Sequence, residues 1–262
     1  MPTRPGISAY IICKNEAANI GRCLASLDWC DEVVVVDSGS TDSTLEVCGQ
    51  HKCRTAHRDW TGYVDQKNHA LSLCTQPWTL SLDADEEVSP ELRAEILGVL
   101  EADGRSGLPE DGFELLRVVF YLGRWWRKGG WYPEHRLRLA RRGKVAWQGA
   151  LVHESARVDG PVGRLRGELR HYTYSGIADQ VDRINAYSTA AALSLHGAGR
   201  RATLADILLK PKARFLKFYF LRSGWREGFA GLTAATAEAF YVFLKYSKLR
   251  DLERTAPRGG GR

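Results

Sequence analysis

Methionine is almost missing from this chain, with one in 262 residues, and so is any run of eighteen uninterrupted apolar residues. The missing run argues against a membrane-spanning helix. The nearest approach, FAGLTAATAEAFYVFL at 229–244, is broken by Glu238. No internal period is present, which argues against a repeat array. No glycine precedes Gly21 after the first apolar run, where CKNEAAN stands instead. That counts against a Walker loop, a GxGxxG turn and the Gly-rich phosphate loop expected of a nucleotidyltransferase. The six cysteines (Cys13, Cys23, Cys30, Cys48, Cys53 and Cys74) all fall in the first 74 residues, and no pair has CxxC spacing. They read as reduced thiols of a cytosolic protein. Cys48, His51 and Cys53 lack the fourth ligand of a closed zinc site. The opening run ISAYIIC is short and meets Lys14, Asn15 and Glu16 at once, which suits a first strand better than the apolar centre of a leader.

The composition is globular, 44% hydrophobic and 26% charged. The net charge of +6 is uneven: residues 200–262 carry fourteen Lys/Arg against five Asp/Glu, a net +9, which leaves −3 for the rest. A basic C-terminal part calls for an anionic partner, whether lipid, a phosphorylated acceptor or nucleic acid.

Strand and helix patterns alternate from residue 7 to 102. ISAYIIC (7–13), EVVVVD (32–37), CRTAHR and WTLSL (78–82) read as strands. NEAANIGRCLASL (15–27), the segment after SGSTDST, GYVDQKNHALSLC and SPELRAEILGVLEA read as helices. Ser40 or Thr41 is the expected cap of the second helix; Ser89 and Pro90 open the fourth. This alternation predicts an α/β unit with a mainly parallel sheet, whose ligands bind beyond the carboxyl ends of the strands. From 112 to 172 the segments FELLRVVFYLG, HRLRLARR, KVAWQG and LRGELRHYTY read as antiparallel additions, with an irregular loop at GRWWRKGGWYPE. Residues 176 to about 254 read as helical, and 255–262 as a frayed end.

Three features bear on chemistry. SLDADEEVSPEL (81–92) sets Asp83, Asp85, Glu86 and Glu87 directly after an apolar strand. A calcium loop from Asp83 fails, because Val88 and Ala94 stand where Gly and Glu are needed. Glu86, Glu87 and Glu91 suit the start of the next helix. Asp83 and Asp85, on an extended chain, would point to one side and offer two hard oxygen ligands to Mg²⁺ or Mn²⁺, with water and diphosphate oxygens completing the shell. D-x-D alone recurs by chance. Asp37, at the end of VVVVD before a Ser/Gly/Thr turn, suits an acceptor for a base or ribose; an Asx turn with Ser40 or Thr41 as helix cap accounts for Thr41 and Asp42 but not for the strand-end Asp37. In WQGALVHESA, Glu154 offers a proton acceptor and His153 a metal or diphosphate contact; a surface His-Glu pair is the alternative.

Taken together and in this order, ICKNEAANIGRCLASL, VVVVDSGSTDST, GYVDQKNHAL, WTLSLDADEEVSPEL and HRLRLARRGKVAWQGALVHE resemble the family 2 glycosyltransferases of the GT-A fold, over about residues 7–155. The nearest subgroup in resemblance is the bacterial lipopolysaccharide core β-glucosyltransferases, whose C-terminal part GWREGFAGL (224–232) also resembles. The resemblance implies a mixed, mainly parallel sheet flanked by helices, with a catalytic domain over 1–175, a basic helical region over 176–254 and a tail over 255–262. It implies that Glu16, Asp37, Lys67, Asn68 and Asp83 bind the nucleotide-sugar, that Asp85, Asp83 and His153 meet a Mg²⁺ or Mn²⁺ ion, and that Glu154 is the catalytic base. Many relatives have Asp-Asp where this chain has Asp37-Ser38, and Glu-Asp where it has His153-Glu154.

The implied activity is inverting transfer of a sugar, glucose from UDP-glucose, to a lipopolysaccharide-core or related glycan. A polyprenyl-phosphate-linked acceptor is the alternative within the class, and a basic nucleic-acid-binding protein the alternative outside it. Trp125, Trp126, Arg127, Trp131, Arg136 and Arg138 mix aromatic faces for sugars with guanidinium forks for phosphates, so they are the acceptor candidates. RFLKFYFLRSGWREGF places Phe215, Phe218 and Tyr219 on one helical face, with Arg214, Lys217 and Arg222 nearby. That pattern suits an anionic membrane surface, hence a peripheral location on the inner face of the cytoplasmic membrane. Packing on the catalytic domain or on a second protomer is the rival.

Overall fold

The computed structural model describes residues 4–149 and 154–255. It divides into two compact units, residues 1–118 with 133–172, and residues 119–132 with 173–262.

The first unit is built on β1 (Ile7–Cys13), with β2 (Glu32–Asp37) and β4 (Trp78–Asp83) parallel to it on either side and β3 (Arg54–His57) beyond β2. β1, β2 and β4 read as largely apolar runs because both their faces are covered, whereas the edge strand β3 is mostly exposed. Ile7, Ala9 and Ile11 of β1 and Val33 and Val35 of β2 enter one apolar cluster, while Tyr10, Val34 and Val36 enter another. The two-residue period of a strand thus divides one run between two cores.

Helices α1 (Ile20–Ala25), α2 (Thr44–Gly49), α3 (Tyr63–Ser72) and α4 (Pro90–Ser106) lie between or after the strands. The first is shorter than its apolar spacing predicts, because residues 16–19 form a turn after Asn15, whose φ is +56°. The cap of α2 also differs: its N-cap is Ser43, and the Asp42 carboxylate accepts the Thr44 N–H at 3.0 Å. In α4 the expected cap is present, with Ser89 Oγ accepting the Leu92 N–H at 3.1 Å and Pro90 in the first turn.

The short strand β5 (Glu86–Val88) precedes α4, and after α4 come β6 (Gly112–Tyr121), β7 (Arg124–Trp126), β8 (Glu134–Arg141), β9 (Val145–Gln148), β10 (Ser155–Val158) and β11 (Val162–His171). The main sheet runs β3-β2-β1-β4-β8-β6-β11-β5, with β7 on β6; β9 and β10 form a separate ribbon. β8 is antiparallel to β4 and β6, and β5 to β11. The mixed α/β architecture with a helical C-terminal extension is the GT-A arrangement that the resemblance implies.

The second unit holds the end of β6, β7, and helices α5 (Ile177–Gly197), α6 (Leu204–Leu216) and α7 (Gly228–Thr255). A π turn at Lys217–Leu221 and a 3₁₀ turn at Gly224–Glu227 join α6 to α7. Tyr121, Trp126, Phe218, Ala230, Ala234 and Ala235 form its main core.

Candidate active site

Parallel pairing brings two acidic strand ends to the same edge of the sheet, one residue apart in register. Cys13 pairs with Asp37 on one side of β1, and Ile12 with Asp83 on the other. Two strand spacings put their backbones about 10 Å apart.

Asp37 is buried, and its carboxylate closes the turn that follows it. It accepts N–H bonds from Gly39 at 2.9 Å and Ser40 at 3.0 Å, together with the Ser40 hydroxyl. Burial pushes its pKa up, but the Ser40 and Gly39 bonds outweigh burial and hold the carboxyl below its ordinary value. Gly39, at φ +83°, gives the turn its left-handed residue. The neighbouring loop is laced to this one: Asn15 N–H donates to Ser40 Oγ, Thr41 N–H to Asn15 Oδ1, and Glu16 N–H to Thr44 Oγ1, each at 2.8 Å. Glu16 therefore stands beside the Asp37 turn.

The acidic cluster resolves differently from the sequence expectation. The chain turns at residues 84–85, so Asp83 and Asp85 do not share one extended face. Asp83 lies between two cations, with Lys67 Nζ at 2.8 Å and Arg138 at 2.6 Å. Burial would raise its pKa, but Arg138 and Lys67 hold it well below the usual carboxylate range. Asp85 faces His171 Nε2 at 3.3 Å.

Glu86 and Glu87 are not a helix start. They form β5, paired antiparallel with β11, where Glu87 stands opposite Arg170 and Glu86 opposite His171. Glu86 is buried; its carboxylate takes Arg138 at 2.8 Å, Arg117 at 3.4 Å and the Asp83 N–H at 2.9 Å. Glu87 accepts from Arg170 at 2.8 Å and from the Tyr172 hydroxyl at 2.9 Å. Opposite charges across the ladder favour a strand here. Only Glu91 occupies the first turn of α4.

Lys67 reaches Asp83 from α3, with its ammonium 4.3 Å from the Trp147 ring centroid and 3.8 Å from Glu154. Trp147 is fixed twice. Its indole N–H donates to the Tyr10 hydroxyl at 2.7 Å, and Asn68 bonds its backbone N–H and C=O at 2.9 and 3.0 Å. Asn68, expected beside the nucleotide, fastens α3 to β9. Asp83, Lys67, Arg138, Trp147 and Glu154 thus converge in the first unit. His153 lies outside the described residues.

The acceptor candidates separate. Trp126 is fully buried in the aromatic core of the second unit, 4.9 Å from Trp131 between ring centroids. Trp131 is partly buried there, and its indole donates to Glu238 at 2.9 Å. Neither offers an open ring face of the kind expected. Trp125 packs on Phe120 at 5.1 Å, and Arg127 is exposed. Arg136 is exposed and paired with Glu134 at 2.6 Å. Arg138 is buried against Asp83 and Glu86 rather than open to an acceptor phosphate. Sequence reasoning missed its true position, as it missed His171 and Glu86. The signal available for Arg138 was its place in HRLRLARR, where alternate residues of a strand pairing with β4 must face the acidic end.

For a divalent ion, Asp85 and His171 supply one carboxylate and one imidazole, a donor pair that suits Mn²⁺ better than the oxygen-preferring Mg²⁺, with substrate oxygens completing the shell. Asp83 fits a direct ligand role less well, because each of its oxygens already meets a cation. Among the described residues no group of three or more His, Cys, Asp or Glu side chains converges as a metal site.

Comparison with known proteins gives the family. Glycosyl transferase family 2 matches residues 8–108. The chain is 34% identical over 250 residues to the lipopolysaccharide core biosynthesis glycosyltransferase LpsC of Rhizobium meliloti (strain 1021), covering 93% of this chain and 91% of that one. It is 32% identical over 257 residues to the uncharacterized glycosyltransferase RP128 of Rickettsia prowazekii (strain Madrid E), covering 94% and 87%. Among solved structures, S. aureus TarS 1–349 in complex with UDP-GlcNAc is similar at 15% identity over 95% of this chain and 91% of that chain, with a TM-score of 0.48. The chain belongs to glycosyltransferase family 2 and is a glycosyltransferase.

Proposed function

We propose that this protein is an inverting, metal-dependent glycosyltransferase that moves glucose from UDP-glucose to a lipopolysaccharide-core acceptor at the inner face of the cytoplasmic membrane. The observation that carries the reading is the convergence of Asp83, Lys67, Arg138 and Glu154 at the carboxyl end of β4, with Asp37 at the carboxyl end of β2 across β1. The match to LpsC, which spans nearly the whole of both chains, supports the acceptor class.

Asp37 and Glu16 receive the nucleoside. Asp83, oriented by Lys67 and Arg138, meets the ribose side of the nucleotide, and Lys67 brings positive charge toward the diphosphate. Mg²⁺ or Mn²⁺ would be held by Asp85 and His171, where it would stabilise charge developing on the leaving diphosphate. Glu154 takes the proton of the attacking acceptor hydroxyl, an effect worth ~10²–10⁴-fold in rate. A single displacement inverts the anomeric carbon and needs no covalent enzyme intermediate. His153 next to Glu154 is a further contact for metal or diphosphate.

A screen of UDP-sugars by thermal shift with and without Mn²⁺, followed by product analysis on a core oligosaccharide, tests this reading. UDP-glucose is expected to stabilise the protein most, and only with the ion. An Asp85→Ala variant with unchanged turnover and metal dependence would overturn the metal assignment. A product made on a polyprenyl-phosphate-linked acceptor alone would replace the acceptor class.

A further inference from the structure

The sequence pattern points Phe215, Phe218 and Tyr219 at a membrane, but the fold turns them inward. Phe218 is 3% exposed, and Phe215 and Tyr219 pack against the same core. The opposite side of the segment is the open one. Leu208, Leu209, Leu216, Phe220 and Leu221 are all more than half exposed, and Leu221 reaches 80%.

The neighbouring helix continues this surface. On α7, Phe229, Leu232, Phe240 and Phe243 are exposed at helical spacing. A groove of about 400 Å³, lined by Pro211, Lys212, Phe215, Leu216, Thr236 and Ala239, joins the two helices. Thr236 lies one turn from Leu232 and from Phe240, so the groove sets the apolar stripe of α7 beside that of α6. Scattered exposed apolar residues need no explanation, but a contiguous set of this kind marks an interaction site.

The charges identify the partner. Lys212, Lys217, Arg222 and Arg226 are exposed and interleaved with these apolar residues. Among the described residues, none of the four makes an ion pair, whereas Lys210 pairs with Asp206 and Arg214 with Glu238. The carboxylates nearby are therefore taken: Glu227 is buried beside Arg124, and Glu238 and Asp206 hold their own cations. A second copy of this chain would bring the same four cations and no free carboxylate to meet them. An anionic lipid surface supplies both the negative charge and the apolar layer that the face lacks. Among the described residues no helix is long and apolar enough to cross a membrane.

We propose that the exposed face of α6, the π turn and α7 is a docking surface for an anionic lipid bilayer, with Leu216, Phe220, Leu221 and Phe229 entering the headgroup boundary and Lys212, Lys217, Arg222 and Arg226 meeting lipid phosphates. The inference deepens the membrane location proposed above by naming the surface that makes the contact; it does not depend on the donor or acceptor assigned there, and its test reads binding rather than turnover.

The test is co-sedimentation of the full chain with vesicles of phosphatidylcholine alone or of equimolar phosphatidylglycerol and phosphatidylcholine. Binding to the anionic vesicles is expected to be at least about tenfold tighter and to weaken as salt rises. A Phe220→Ser/Leu221→Ser variant is expected to lose about tenfold on anionic vesicles. A Lys212→Glu/Arg222→Glu variant is expected to lose the preference for them. All four residues are exposed, so the thermal midpoint and UDP-sugar binding should be unchanged, which separates loss of docking from loss of fold. Equal binding to both vesicles, or apolar and charge variants that bind like the parent, would overturn the proposal. A wild-type dimer that the Phe220→Ser/Leu221→Ser variant makes monomeric, with vesicle binding intact, would reassign the face to contact between copies.

Discussion

Arg138 is the residue on which the acidic site most depends. It is buried, and one guanidinium nitrogen serves both Asp83 and Glu86. Burial alone would lower its pKa, but the two carboxylates raise it, so the group stays charged. Arg138→Met would leave Glu86 and Asp83 short of a counter-charge and is expected to cost about 3–5 kcal/mol in urea denaturation. Arg138→Lys, which keeps the charge on a shorter side chain and so moves it back from both carboxylates, is expected to fold and to bind UDP-sugar more weakly. His171 gives a second test. His171→Ala is expected to weaken Mn²⁺ binding in the presence of UDP by about tenfold or more, read by calorimetry rather than by turnover. Unchanged affinity would remove His171 as a ligand.

The two strand-end aspartates also contribute to the loss of stability in acid. Asp37 and Asp83 both sit below their ordinary value of 3.8 in the folded chain. The native state therefore binds fewer protons than the unfolded state as pH falls through that value. Their contribution is complete above 3.8 and is lost as pH drops toward the folded pKa. Denaturant midpoints should be flat with respect to these two groups between about pH 5 and 8 and should fall below about pH 4. Asp37→Asn should make that fall shallower.

At the scale of elements, close backbone contacts fix the helices where the site needs them. A Cβ on Gly167 of β11 would lie 2.4 Å from Leu92 Cα on α4, a backbone atom that cannot turn aside. Gly167→Ala is expected to destabilise the first unit by about 1–3 kcal/mol through a forced shift of α4. Gly231 plays the same part in GWREGFAGL, where a Cβ would meet the Gly224 carbonyl oxygen at 1.9 Å. That segment is a tight 3₁₀ turn running into α7, with Gly228 at φ +58°. Gly231→Ala should lower the thermal midpoint while UDP-sugar binding in the folded fraction is retained. At this scale the sequence was readable where apolar runs were long: β1, β2, β4 and α4 lie where their periodicity puts them. It misled at β5, because three residues of Glu-Glu-Val carry no strand period of their own. They are a strand only because Arg170 and His171 stand opposite.

Across the whole molecule, the sequence order of Asp37, Asp83 and Glu154 was enough to suggest a shared site, since strand ends in a parallel sheet face one side. The cations that complete it, Lys67 and Arg138, come from a helix and an antiparallel strand, and their convergence on Asp83 is a tertiary fact. The aromatic segment 124–131 misled for a related reason. Trp126 and Trp131 fill the core of the second unit, and no local pattern distinguishes a core tryptophan from a sugar platform. The most direct test of the account is NMR of the glycoside formed from UDP-glucose, Mn²⁺ and a core oligosaccharide, run in parallel with wild type and Glu154→Gln. The account predicts a β-linked product from the α-configured donor, with a rate ~10²–10⁴-fold lower in the variant at unchanged donor affinity. An α-linked product, or a variant as fast as wild type, would contradict it.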